Sequence, residues 1–217
     1  MTNFKKKIIE RYSNRYNKLG YDVKTLGWGS EGQQSYRFDQ SINGVLFRNE
    51  SVILDIGCGF GDFLNFLKIK NKPFSKYIGW DLNPDLINEA NNLWDKNDEK
   101  EVVFEVQDIQ SIEIKKTPVA NIGFMHGVLN LKLDDGIDNW EYTKELITKA
   151  FQCVDELLVI DFISSEIVEN YPVEDFINYN SHTKLLSFVF SDLTKKVKLD
   201  HSYDAIPQRE FTLYLFK

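Results

Sequence analysis

Residues Val52 to Phe63 read VILDIGCGFGDF, and few folds accommodate such a stretch. An apolar run that ends in an acid and three alternating glycines is a buried strand turning tightly into a helix. The strand covers Val52 to Ile56, the loop carries Gly57, Gly59 and Gly61, and the helix begins near Asp62. Glycine at these positions lets the main chain bend sharply and pass close to a ligand with no side chain in the way.

The chain beyond repeats the unit. Tyr77 to Trp80 reads as a strand with Asp81 at its carboxyl end. Asn83 and Pro84 supply an N-cap and a first-turn proline, and Leu86, Ile87, Ala90, Leu93 and Trp94 give the next helix a buried face. Residues 102–106 and 119–125 predict a third and a fourth strand, Asp138 and Glu141 open a helix, and residues 156–163 predict a fifth strand. Strands alternating with helices predict a parallel sheet with right-handed crossovers. The C-terminal part changes character. A helix over residues 183–192 is followed by strands over 195–203 and 210–216, joined by a short polar loop, which makes an antiparallel pair. On the other side of the glycine stretch, Phe4, Ile8, Ile9, Tyr12, Tyr16 and Leu19 mark one face of an amphipathic helix that Gly20 ends. Ser30, with Gln33 three residues on, reads as a capping box opening a second helix from Glu31 towards Val45.

The expected architecture is one α/β domain over residues 1–217. A helical cap would occupy 1–48. A seven-stranded sheet over 49–217, mostly parallel with an antiparallel last strand, would carry helices on both faces. With 217 residues and 42% hydrophobic content, the chain suffices for one such core. The formal charge of −7 argues against a nucleic-acid partner, which needs clustered Lys and Arg. The two basic runs, Phe4–Lys7 and Leu193–Lys198, read as a solvated helix start and a solvated strand edge. Two isolated cysteines, Cys58 and Cys153, form no disulfide framework or metal spacing, and point to a reducing cytoplasm. No apolar run approaches the ~18 residues of a membrane span.

The ligand of the glycine loop can be narrowed. A P-loop would place Gly-Lys-Ser/Thr after the glycines, and Asp62-Phe63 stands there instead. The dinucleotide fingerprint needs a third glycine one residue later than Gly61, so a nicotinamide dehydrogenase is disfavoured. Asp55 and Asp62 bracket the loop with negative charge, which suits a cation or a donor-rich ligand better than a pyrophosphate.

DIGCGFGDF, then YIGWDLNPDLI and FEVQDI, resemble the S-adenosylmethionine site of class I methyltransferases, over Val52 to Lys217. The LGW and QSYRF segments resemble the caps of small stand-alone bacterial members. The resemblance implies a Rossmann-like fold, S-adenosyl-L-methionine as cofactor and S-adenosyl-L-homocysteine as product. It implies that Asp55 and the main chain of Gly57, Cys58 and Gly59 hold the methionine amino group and approach the ribose. Asp81 would take the ribose hydroxyls, and Leu82 and Ile109 would sandwich the adenine. Asp108 would receive the adenine amino group; a turn cap is its other reading. His126 and Gly127 would lie near the methionine portion and the transferred methyl. Cys58 reads as a small packing residue rather than a nucleophile.

Methyl transfer from a sulfonium needs alignment and exclusion of water more than electrophilic help. A base helps when the acceptor is a hydroxyl. His126 is the candidate base, with cofactor packing as its equal alternative. Tyr12, Tyr16, Trp28, Arg37, Asn130, His201, Tyr203 and Arg209 are candidates for the acceptor pocket. Arg37 could instead grip the cofactor carboxylate, and for Tyr12 and Tyr16 helix-face packing is the simpler reading. His182 reads as a surface residue and His201 as part of the sixth strand. Asp134, Asp135 and Asp138 read as a solvated loop and a helix cap, so no metal is expected. The NPPY-type tetrapeptide of nucleic-acid amino-methylating enzymes is absent, since the fourth strand leads into HGVLN. The bacterial enzymes that the chain resembles act on natural products, sugars and surface-polysaccharide precursors, so the resemblance implies O-methylation of such a small metabolite, anionic if Arg37 and Arg209 face the pocket. N-methylation of a small molecule or protein, and non-catalytic cofactor binding, are the alternatives. The expected assembly is a monomer or homodimer with no membrane partner.

Overall fold

The computed structural model describes residues 2–94, 101–113, 118–133, 136–166, 172–202 and 209–217. Two helices, α1 (Asn3–Leu19) and α2 (Glu31–Ser41), precede β1 (Val52–Ile56). Then come α3 (Asp62–Ile69), β2 (Lys76–Asp81), α4 (Pro84–Leu93) and β3 (Glu101–Val106). A 3-10 turn (Ile109–Ser111) leads to β4 (Ala120–Met125), α5 (Asn139–Gln152) and β5 (Val154–Ile163). The chain closes with α6 (His182–Asp192), β6 (Val197–Asp200) and β7 (Glu210–Phe216). The strands form one sheet in the order β3-β2-β1-β4-β5-β7-β6. The first five are parallel; β7 pairs antiparallel with both β5 and β6.

Local chemistry sets the helix starts. Ser30 Oγ accepts from Gln33 N at 3.2 Å. Asn83 Oδ1 accepts from Asp85 N at 2.8 Å, with Pro84 in the first turn. Asp138 Oδ1 takes Trp140 N at 2.8 Å, and Ser181 caps α6 through Lys184 N. Each side chain satisfies a backbone donor that the helix itself leaves unpaired.

Alternation along the strands divides the core. Leu54 and Ile56, Leu158 and Ile160, and Leu213 and Leu215 face α5 and α6, which contribute Leu146, Ile147, Leu185 and Val189. Ile53, Tyr77, Phe124, Val159 and Tyr214 face the other side, under Phe38 of α2, Phe63 and Leu67 of α3, and Ile87 of α4. Burying each such side chain contributes about 1.5–3 kcal/mol. The second helix is therefore part of the core as well as of the cap.

Three expectations are corrected. The second helix stops at Ser41, short of Val45, because the chain turns through Gly44 at φ 79°. The sixth strand ends at Asp200, whose Oδ1 accepts from Ser202 N and Oγ and turns the chain off the ladder. His201 therefore lies just beyond that strand. Lys5 is not a solvated residue of the helix start: it is buried and pairs with Asp108 Oδ2 at 2.5 Å.

Strand order reverses between β1 and β4: β2 and β3 extend one way, β5, β7 and β6 the other. Ligands of open α/β sheets bind outside the carboxyl ends of the strands at such a point. Asp55, Asp81 and His126 sit at the ends of β1, β2 and β4.

Candidate functional site

One cavity of about 440 Å³ collects the strand ends. Asp55, Gly57, Cys58, Gly59, Asp81, Leu82, Asp108, Ile109, His126 and Gly127 all line it, joined by Tyr12, Trp28, Arg37 and Asn130. Tyr16, His201 and Arg209 are not among the lining residues. Tyr16 instead donates to Glu89 Oε2 at 2.8 Å, and its ring lies 5.6 Å from that of Phe60. Tyr203, Asp134 and Asp135 lie outside the described residues. No group of three or more potential metal ligands occurs among the described residues.

The glycine loop is held by the second strand. Gly57 N and Cys58 N both donate to Trp80 O, at 2.7 and 3.0 Å. Gly59 N donates to Asp81 Oδ2 at 3.0 Å. These donors, which a phosphate site would present to its ligand, are spent inside the protein. What the loop region brings to the cavity is carboxylate. Gly57 stands at φ 76°, and a Cβ there would lie 2.5 Å from Val128 Cγ2, so close packing as well as backbone shape calls for glycine.

Asp55 is buried and accepts from Tyr77 Oη at 2.5 Å. Burial pushes its pKa up to about 7, against the pull of the Tyr77 bond, and the charges of Asp81 and Asp62 add to the rise. Asp81 is also raised by burial, while Asn83 N and Gly59 N hold its charged form. Asp62 accepts from Tyr21 Oη at 2.7 Å and Gln34 Nε2 at 3.1 Å, which ties the N-terminal segments to the loop. Cys58 is buried and its thiol is driven well up, first by burial and then by Asp55. This is an inert thiol.

Asp108 has two partners. Its Oδ1 caps the 3-10 turn through Gln110 N at 3.0 Å, and its Oδ2 pairs with Lys5. The cap reading thus describes one oxygen, and an adenine amino group would share the other with a lysine.

Arg37 does not keep its fork for a cofactor carboxylate. Nε donates to Glu210 Oε2 at 2.6 Å and Nη2 to Glu210 Oε1, both groups buried, with the Trp28 ring 4.9 Å away. Its charge is answered by β7. The cavity receives Arg11 and Arg15 from α1 instead; Arg15 also donates to Lys24 O, and Arg11 lies over Phe176. Asn130 Oδ1 accepts from Ile163 N at 2.8 Å, fixing the segment after β4.

His126 is buried among Phe38, Phe63 and Phe124, with ring centroids 4.9, 4.6 and 5.7 Å away. Burial lowers its pKa to about 3, so the ring is neutral at any ordinary pH. A base so weak gives little driving force for ionising a hydroxyl. His182 is not a simple surface residue. Its ring lies 5.3 Å from that of His201 and 6.1 Å from Phe211, a small cluster outside the cavity lining.

Some contributors carried no motif. Asp161 on β5 accepts from Gly127 N at 2.6 Å and is raised to about 7, chiefly by burial. Asp161 and Glu210 stand at buried positions of β5 and β7, in phase with Val159 and Tyr214. That alternation is the signal that could have found them. Tyr77 and Ser41 have none, being common residues in ordinary positions.

The model of a protein family described as a methyltransferase domain matches residues 47–158. No curated protein matches the chain. Among solved structures, the magnesium protoporphyrin IX methyltransferase of Synechocystis PCC 6803, with bound S-adenosylhomocysteine, is similar at a TM-score of 0.66 and 12% identity. That match covers 98% of each chain. A SAM-dependent methyltransferase from Archaeoglobus fulgidus gives 0.62 at 16% identity, over 87% of this chain and 95% of the other. Phosphoethanolamine N-methyltransferase 1 of Haemonchus contortus, in complex with phosphoethanolamine and S-adenosylhomocysteine, gives 0.66 at 12%, over 99% of this chain and 50% of the other. Among the described residues no helix is long and apolar enough to cross a membrane.

Proposed function

Because this chain belongs to the methyltransferase-domain family, we propose that it moves a methyl group from S-adenosylmethionine to a small molecule held beneath α1 and α2. The observation that carries this reading is the division of labour at the loop. The Gly57, Cys58 and Gly59 N–H groups are committed to Trp80 and Asp81, while Asp55 and Asp81 line the same cavity. Such a site repels phosphate and favours a cation. A buried carboxylate raised to about 7 gains most from a ligand that brings positive charge.

When bound, the cofactor supplies an electrophilic methyl on a cationic sulfur. Asp55 would hold the ammonium end and Asp81 the ribose hydroxyls, at the ends of adjacent strands. Leu82 and Ile109 would flank the adenine, with Asp108 and Lys5 at its edge. Gly127, its N–H fixed by Asp161, would border the reacting end. The cap helices exclude water, and their fit over the strand ends supports a small acceptor rather than a polymer.

The hydroxyl acceptor expected from the sequence came from the resemblance, with His126 as its candidate base, and the anionic acceptor rested on Arg37 and Arg209. A pKa of about 3 leaves His126 a poor base, the Glu210 pair answers the charge of Arg37, and Arg209 is not among the residues lining the cavity. Arg11 and Arg15 supply positive charge to the cavity in place of Arg37. Titration calorimetry with S-adenosylmethionine, S-adenosylhomocysteine and NAD tests the donor. Both sulfur compounds should bind and NAD should not; silence from both sulfur ligands would sink the reading.

A further inference from the structure

We infer that Arg11 of α1 anchors the methyl acceptor, and that it does so by binding an anionic group of that molecule, a carboxylate or a phosphate. The inference rests on the methyl-donor reading above and names the substrate class of the same site.

Helix α1 lies between two walls of the cavity. One of its faces is pinned to the strand ends assigned to ribose and adenine. Lys5 pairs with Asp108 at 2.5 Å, Asn83 Nδ2 donates to Ile9 O at 3.1 Å, and Ser13 Oγ donates to Asp85 Oδ2 at 2.6 Å. Ile8, Arg11, Tyr12 and Arg15 line the cavity. Arg11 crosses to the opposite wall, where its guanidinium carbon lies 5.3 Å from the centre of the Phe176 ring. That wall is fastened to the segment after β4. Lys132 N donates to Phe176 O at 2.8 Å, Asn178 N donates to Asn130 O at 3.0 Å, and Leu131 bridges Ile177. The same segment starts at His126, whose Nε2 lies 2.8 Å from Ser41 Oγ. Arg11 therefore stands on the acceptor side, between two supports that are each held by bonds of their own.

What Arg11 lacks is an anion. It is half-buried, and among the described residues it makes no hydrogen bond and no ion pair. The Phe176 ring attracts its charge but leaves its N–H donors open. The cavity's other arginines are committed: Arg37 to Glu210, and Arg15 through Nε and Nη2 to Lys24 O. Glu174 lines the cavity near Phe176, but no ion pair joins it to Arg11. The cofactor's own carboxylate is not the missing anion. It shares a carbon with the ammonium assigned to Asp55, which places it at the end of β1. Arg15 is the arginine at that end: it holds Lys24 O, two residues before Leu26, whose side chain lies 2.9 Å from a Cβ added at Gly59. Asp55 and Asp81 turn an anion away from the donor end and towards Arg11. Arg11 and Arg15, four positions apart on one helix, also repel each other until negative charge arrives beside them. An open guanidinium fork in a partly enclosed site is a bidentate receptor for carboxylate or phosphate oxygens.

Chemical-shift titration of the full chain, with and without saturating S-adenosylhomocysteine, tests this with benzoate, phenyl phosphate and their neutral counterpart benzamide. At least one of the two anions should bind about tenfold more tightly than benzamide, and the tighter of the two tells carboxylate from phosphate. Arg11→Gln should abolish that preference, and Arg11→Lys, which keeps the charge and loses the fork, should restore only part of it. Arg15→Gln removes the same charge from the same helix and should weaken the anion by less than about threefold. Parity between the anions and benzamide overturns the inference. So do equal losses in the two glutamine variants, which would report a general field rather than a contact. Calorimetry with S-adenosylhomocysteine on each variant separates the two ligands. Arg11→Gln should leave that affinity within about twofold, and a loss matching the loss of anion binding would assign Arg11 to the cofactor and overturn the inference. If the wild type fails to bind S-adenosylhomocysteine, the donor reading falls, while the titrations run without it still decide whether Arg11 holds an anion.

Discussion

Tyr77 on β2 donates its hydroxyl hydrogen to Asp55 on β1 at 2.5 Å, both residues fully or nearly fully buried. The bond sits in a core that a carboxylate would otherwise avoid. Burial drives the Asp55 pKa to about 7, and Tyr77 is the foremost influence holding it down.

The first prediction follows from that balance. An ammonium group prefers ionised Asp55, so affinity for S-adenosylhomocysteine, which carries one at its amino-acid end, should rise by about tenfold between about pH 6 and about pH 8. Tyr77→Phe should move this rise to higher pH and weaken binding at neutrality. For the ligand-free fold the sign is opposite. A raised carboxylate binds more protons folded than unfolded, so stability from Asp55 and Asp161 should fall as pH climbs from about 4 to about 7 and level off above. Calorimetry and urea melts across that range measure both slopes; flat profiles would contradict the assignment.

Gly57→Ala should destabilise the fold by about 2–4 kcal/mol, since it adds left-handed backbone strain to a clash. The clash is with Val128 Cγ2, 2.5 Å from the added Cβ, at φ 76°. In the double variant with Val128→Ala, the clash is relieved and the strain stays, so partial recovery is expected. Urea denaturation midpoints report it, and full recovery would mean that the backbone is not strained by alanine.

The Arg37–Glu210 pair predicts a non-additive cycle. Arg37→Met should cost about 3–5 kcal/mol, because it leaves Glu210 buried without its counter-charge. Arg37→Met with Glu210→Leu should recover most of that. Guanidinium melts of these two variants and of Glu210→Leu alone give the coupling, and additive losses would show that the pair is not the cause.

Asp81 holds two backbone hydrogens, Gly59 N and Asn83 N, at 3.0 and 2.8 Å. Asp81→Ala should lower stability by about 1–3 kcal/mol and weaken S-adenosylhomocysteine by at least about tenfold. Unchanged affinity in calorimetry would refute the ribose assignment, whatever the stability change.

The sequence made the sheet legible wherever a strand ended in an acid or a helix began with a cap. Asp55, Asp81, Asn83, Asp138 and Ser30 all announced local events that local chemistry decides. What it hid were partnerships across long separations. That Arg37 faces Glu210, that Lys5 reaches Asp108, and that Ser41 holds His126 depend on how α1 and α2 lie on the sheet, which no periodicity encodes. His126 shows the same limit within one residue. Its place after the fourth strand was readable, but its proton affinity depends on Phe38, Phe63 and Phe124 closing around it. The short sixth strand escaped because Asp200 turns the chain with its own side chain while the apolar pattern runs on.

The Arg37–Glu210 contact spans 173 positions of the chain, and this imposes an order of events on a growing polypeptide. The segment bearing Arg37 leaves the ribosome long before its partner, which arrives with β7, the strand that must insert between β5 and β6. Until then the second helix carries a guanidinium that has no place in an apolar layer. The sheet can assemble from β1 to β5 in sequence, but the part of the cavity that Arg37 and Glu210 line can be completed only after β7 has emerged. A nascent chain lacking β7 should therefore be able to gather the donor half of its site well before it can bring two substrates together.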